Sequence, residues 1–196
     1  GRMIGSDYIR DERRRISDRV GQVQLRPERR YRDGHETAQT GAAIGEPRTT
    51  LTLYEGGDIR TATGEIHRRY QVRANPSAAI AYPHQNEPGY MDQTIVAGFV
   101  LRVGYQVGGG SRYAGTPEQV DEVAVEDIEA IRQQLWHWAG FNAPSGSGVT
   151  TGRCELVEFG AVTYSEDAEH KRTIWELPIT SQLNVETQPN QGGYTR

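Results

Sequence analysis

The span from Met91 to Glu186 constrains the fold more than any other part of this chain. It reads as a long strand, a glycine loop, one capped helix and then further strands. Met91–Val107 is more than twice the usual strand length of ~5–6 residues. Its nearly continuous apolar run from Ile95 to Val103 predicts burial on both faces in the middle. Gly98 and Gly104 permit a bulge or bend in so long a strand. Gly108–Ser111 closes it, and no Gly-Lys-Ser/Thr follows, so this is not a phosphate loop. Long strands without catalytic-looking groups suit a protein that builds something.

Thr116 opens the helix. Thr116 caps, Pro117 occupies the first turn and Gln119 completes a capping box. Val120, Val123, Asp127/Ile128, Ile131, Leu135 and Trp138 then recur at helical spacing as far as Gly140, which predicts a helix over 117–139. Glu118, Asp121, Glu122, Glu126, Asp127 and Glu129 crowd its first half, where the helix dipole favours acids. Glu126, Asp127 and Glu129 read as a solvated acidic face. Cys154–Phe159 and Ala161–Tyr164 read as strand broken at Gly160, and Arg172–Glu186 as the returning strand. Pro178 has no N–H to donate, which places it at an edge or a bulge.

The N-terminal half is less regular. Ser6 or Asp7 caps a helix over 8–20, with Ile9, Ile16 and Val20 on one narrow face and Arg10, Arg13, Arg14 and Arg15 around the rest. Such a surface is either a solvated, ion-paired face or a basic face that meets an acidic partner. Val23 and Leu25 form a short strand, and 28–47 reads as loop. In 48–55, Leu51 and Leu53 share one face of a half-buried strand. Within 57–90, Ile66, Arg68, Tyr70 and Val72 alternate against His67, Arg69 and Gln71, so 65–73 is a strand. Ala78–Tyr82 pairs with it across Asn75-Pro76-Ser77. Little in 57–90 looks able to build a core, and it is read as a protruding arm or long loop.

Leu, Ile, Val and Phe make up only 37 of 196 residues, at a net charge of −4. Disorder on that scale comes with high net charge, absent here, so a thin core points to burial against neighbours. Residues 1–35 hold ten Arg against six acids, whereas the remainder holds 12 basic and 20 acidic residues. The one cysteine, Cys154, excludes an intrachain disulfide and a multi-cysteine zinc site. No apolar run approaches a membrane span or a signal-peptide core. A soluble intracellular protein is expected.

The five histidines (35, 67, 84, 137 and 170) form no metal-ligand spacing. Cys154 with His137 or His170 is the one conceivable nucleophilic dyad, but a lone Cys entering a strand is ordinarily a small core residue. No catalytic, cofactor or metal site is expected. The N-terminal arginines carry no nucleic-acid recognition motif, and the acidic chain opposes phosphate attraction.

Ile9-Arg-Asp-Glu-Arg-Arg-Arg-Ile16, the Met91–Val107 strand followed by Thr116–Ala139, and Ile174-Trp-Glu-Leu-Pro-Ile179 together resemble the opening helix, central strand and helix, and closing strand of the tail terminator proteins of long-tailed bacteriophages. The resemblance covers most of the chain except 57–90. It implies an α+β subunit, a mixed, mainly antiparallel sheet with two helices packed on one face, to which the reading of 57–90 adds an extended loop or hairpin arm. The Gln/Asn/Gly-rich 188–196 reads as a flexible tail after a single domain over 1–187, and the resemblance further implies a homo-oligomeric, hexameric ring in the tail-neck region of the virion, assembled in the host cytoplasm. Such a ring caps the tail tube protein and meets the head–tail connector or stopper protein, and DNA passes its channel without specific binding. Subunit or partner contacts are expected from Arg10, Arg13, Arg14, Tyr70, Arg73, Tyr82 and Tyr90. The competing readings are a head–tail connector or tail-completion subunit, an Arg-rich nucleic-acid-binding module, and a Cys154 hydrolase.

Overall fold

The computed structural model describes residues 4–26, 31–32, 35–36, 49–75, 83–87, 90–108, 116–138 and 152–187. Their order is α1 (Ile4–Gln22), β1 (Tyr31–Arg32), β2 (His35–Glu36), β3 (Thr52–Leu53), a 3-10 turn (Ile59–Thr61), β4 (Arg69–Ala74), β5 (Pro83–Glu87), β6 (Tyr90–Gln106), α2 (Pro117–Trp138), β7 (Gly152–Phe159), β8 (Thr163–Asp167) and β9 (Arg172–Thr187).

The expected long strands are present, and they are each other's partners. β6 and β9 run antiparallel from Met91 opposite Thr187 to Gln106 opposite Arg172. Sixteen such pairs at ~3.4 Å per residue make a ribbon of about 50 Å. On the other edge of β6, β4 pairs with its second half and β5 with its first few residues. On the other edge of β9 lie β7 and β8. A parallel pairing of β3 with β4 completes a seven-stranded mixed sheet; β1 and β2 form a separate two-stranded ladder. The fold is α+β.

Pro178 lies inside this sheet, opposite Val100. Its carbonyl accepts from the Gly160 N–H at 2.9 Å. The N and O of one strand residue face the same neighbour, so the proline nitrogen faces the interruption between β7 and β8, where its missing N–H deprives no ladder bond. A Cβ on Gly160 would sit 2.9 Å from Pro178 Cβ, so the glycine allows this approach. The proline therefore sits at a break in its neighbour's ladder, not at the outer edge of the sheet.

One face of the sheet carries both helices. Ala97, Phe99, Leu101, Val103 and Tyr105 of β6 alternate inward with Leu177 and Ile179 of β9 and Tyr70 and Val72 of β4. Against them pack Ile16 and Val20 of α1 and Val120, Ile128, Ile131 and Leu135 of α2, all fully or almost fully buried. The capping box forms in both directions: Gln119 N donates to Thr116 Oγ1 at 3.3 Å, and Thr116 N to Gln119 Oε1 at 3.0 Å. α1 begins at Ile4, so Ser6 and Asp7 lie within its first turns instead of capping it.

The opposite face corrects the reading of 57–90 as an arm with no core. Ile59, Ala62 and Ile66 are buried there with Ile174 of β9. Gly104, opposite Ile174 in the ladder, leaves room for the cover: a Cβ at that position would lie 2.5 Å from Ile66 Cδ1. Residues 57–66 therefore lie over the second face, and 69–74 are a strand of the main sheet. The predicted 65–73 strand starts late because His67 and Arg68 make a turn, with Arg68 at φ 50°. That turn puts Ile66 on one face and Tyr70 on the other. The 78–82 hairpin partner and the 188–196 tail lie outside the described residues; Pro83–Glu87 pairs with β6 instead of β4. Among the described residues of 48–55, Thr52 and Leu53 are strand, with Leu51 buried and Leu53 42% exposed, so the expected shared face is absent.

Candidate subunit interface

The arginines of α1 are placed by its narrow buried stripe. Ile16 and Val20 face the sheet, which leaves Arg10 and Arg14 exposed one turn apart and Arg13 half-buried beside them. Arg10 pairs with Asp11 at 3.3 Å on this surface. Arg73 is exposed near the end of β4. Tyr70 is a correction: it is 4% exposed, and its hydroxyl donates to Ser17 O at 2.7 Å, joining β4 to α1. Burial raises the Tyr70 hydroxyl above the usual tyrosine value. It belongs to the core and cannot meet a partner. Tyr82 lies outside the described residues, and Tyr90 is placed only as the first residue of β6.

α2 presents the opposite chemistry. Glu118, Glu122, Val125, Glu129, Arg132 and Trp136 follow one another at three- and four-residue steps and are all exposed. Val125 and Trp136 are 55% and 58% exposed, so this acidic stripe also carries two large apolar groups. Where the stripe ends, α2 and β7 enclose an open groove of about 450 Å³ lined by Glu129, Arg132, Gln133, His137, Glu158 and Phe159 together with Trp136. Arg132 already stacks over the Phe159 ring at 5.8 Å and lies 3.8 Å from Glu129, so the groove accommodates a guanidinium between an aromatic face and a carboxylate.

Asp127 is not part of that solvated face. It is 2% exposed and accepts from Arg68 Nη2 at 3.0 Å, Arg68 Nε at 3.1 Å and the Tyr105 hydroxyl at 3.0 Å. Burial pushes its carboxyl up to about 6, and Arg68 and Tyr105 act in the opposite direction. Arg68 also donates to Arg26 O at 3.0 Å, so one guanidinium ties the 57–68 cover to α2 and to the chain after α1. Asp127 stands four residues before Ile131 and seven after Val120, on the buried helix face. That position was the available signal for its burial.

Two other buried polar groups were missed. Glu12, three residues after Ile9 and four before Ile16, is 1% exposed and accepts from the Ser181 hydroxyl at 2.6 Å, fixing α1 to β9. Arg172 is 3% exposed and donates to Ala62 O at 2.5 Å, Arg60 O at 3.2 Å and Asp167 Oδ2 at 3.1 Å, holding the cover to β9. Above the same face, Arg60 hydrogen bonds hold the Asp58 carboxyl down at about 2. The Asp167 carboxyl is lowered, first by the His170 backbone N–H and then by the His170 side chain.

These polar clusters join elements to one another. His170 is engaged by Asp167 at 2.8 Å, and His137 stands on the exposed α2 face. Cys154 is placed in β7 opposite Leu183, its side chain outside the described residues. Among the described residues no group of three potential metal ligands occurs, and no helix is long and apolar enough to cross a membrane. No family model matches this chain, and no curated protein matches it in sequence.

Proposed function

We propose that this chain is a virion structural protein, a tail terminator subunit. In this reading a ring of copies, six by family resemblance, caps the tail tube, ends its polymerisation and joins the tail to the head-side connector in the neck of the virion. The carrying observation is the β6–β9 ribbon, a ladder of sixteen pairs about 50 Å long. The core-facing residues described under α1 and α2 reach from Tyr105 to Ala97 on β6 and from Trp175 to Ser181 on β9. The ladder continues for six more pairs, from Val96 opposite Gln182 to Met91 opposite Thr187. β5 and β7 flank this end of the ladder, and a ribbon of such length suits a subunit that must span to its neighbours.

The net charge of −4 supports passage of DNA through a channel by like-charge repulsion. The buried polar clusters support construction too, since each ties one element to another. Heterologous contacts that close by rotation generate such a ring from one chain.

The direct functional test is polymerisation of the cognate tail tube protein with and without this chain. Tubes that stop growing and carry a ring at one end are the expected result. Tubes that grow unchanged, with no protein bound at either end, would sink the proposal.

A further inference from the structure

α1 packs against β4 and β6, and α2 against β6 and β7, so the helices occupy different halves of one sheet face. The exposed arginines of α1 and the acidic groove beside α2 thus belong to different parts of the surface. That is the arrangement needed for head-to-tail contact, in which one patch meets a different patch on the next copy.

We propose that the groove between α2 and β7 receives the Arg10/Arg14 edge of α1 from a second copy of this chain. The inference rests on the ring reading above and names the surfaces that would close it. Three observations select the occupant. The groove offers the exposed carboxylate of Glu158, that of Glu129 shared with Arg132 and Gln133, and two aromatic rings, Trp136 and Phe159. Its own Arg132 demonstrates that a guanidinium is held there over an aromatic ring. On α1, Arg10 and Arg14 stand one helical turn apart, a spacing of about 6 Å that suits two guanidinium groups entering one groove. Arginine favours such sites because its planar fork stacks on rings and pairs with carboxylates in two directions. Trp136, more than half exposed in the single chain, becomes covered in the contact.

Charge reversal and charge exchange test this pairing. Mass photometry of wild type, R10E/R14E, E129R/E158R and the four-fold exchange is the measurement, with circular dichroism melts confirming that each variant is folded. All four positions are exposed, so melts within a few degrees of wild type are expected. Wild type should form rings, each two-fold variant should fall to monomer, and the exchange variant should recover the ring mass. An equimolar mixture of the two-fold variants should also recover it, because each supplies the complement of the other's altered patch. Wild-type rings with two-fold variants that still form rings would overturn this contact and leave the ring reading intact. Loss of rings in the two-fold variants without recovery in the exchange or the mixture would also overturn it. A wild type that stays monomeric at every concentration would overturn the ring reading itself.

Discussion

Arg68 and Asp127, 59 residues apart in the chain, meet in a two-pronged ion pair at 3.0 and 3.1 Å beneath the surface of α2. Arg68 is 11% exposed and Asp127 2%, so the pair is shielded from water. It joins the cover on one sheet face to the helix layer on the other, and it holds Arg68 at a φ of 50° that side chains rarely adopt.

Removing one partner of such a pair leaves the other charge buried. Asp127→Ala strips the acceptor from both Arg68 and the Tyr105 hydroxyl and should cost about 3–5 kcal/mol of stability. Urea denaturation of variant and wild type measures this. A loss below about 1 kcal/mol would show that the pair holds nothing in place.

The pH dependence follows from the direction of the Asp127 shift. Its folded-state value of about 6 lies above the ordinary 3.8, so between those values the folded protein binds more protons than the unfolded chain. The contribution of Asp127 to stability therefore increases as pH falls from about 7 to 4, on the order of 1–3 kcal/mol. Asp58 acts oppositely: its value of about 2 gives a contribution present above 3.8 and lost as pH falls toward 2. Denaturant midpoints at pH 7, 5.5 and 4.5 should rise for wild type relative to Asp127→Asn. A difference that stays flat or falls contradicts this account.

Gly104 is a second joint between the two faces. In Gly104→Ala the new methyl group meets Ile66 Cδ1 at 2.5 Å and the Ile66 carbonyl oxygen at 2.9 Å. The side chain can turn away but the backbone oxygen cannot, so a loss of about 1–3 kcal/mol is expected. Pairing it with Ile66→Val, which shortens the obstructing side chain, should recover part of the loss. A thermal melt unchanged by Gly104→Ala would mean that the cover does not press on β6.

The N-terminus of α2 makes a milder prediction. Thr116→Ala removes one arm of the reciprocal cap and should lower stability by about 1 kcal/mol. Amide exchange confined to the first turn of α2 is the more specific readout. Faster exchange across the whole helix would indicate that the cap nucleates more than its own turn.

The body of the fold was legible where the apolar pattern was long. The two ribbon strands and α2 each carry enough periodic positions to fix type and approximate ends, and the Thr116–Gln119 box marked its helix start within one residue. The second core escaped because Ile59, Ala62 and Ile66 are scattered in a polar, glycine-containing stretch with no repeat longer than one turn. Tyr70 was misplaced because 57–90 was read as an arm with little core, although its alternation with Val72 already set both on one buried face. Asp127 sat in the buried register of α2, but its partner Arg68 is remote and no local spacing announces it. The exposed arginines of α1 were found from their spread around a narrow apolar stripe. The groove that complements them required α2 and β7 to be brought together in space.

Closure of this chain into a ring is tested most directly by electron cryo-microscopy of the purified protein. Class averages should show closed rings of rotationally related subunits around a central opening, with the β6–β9 ribbons reaching between neighbours. Particles of single-subunit size at every concentration imaged would contradict it.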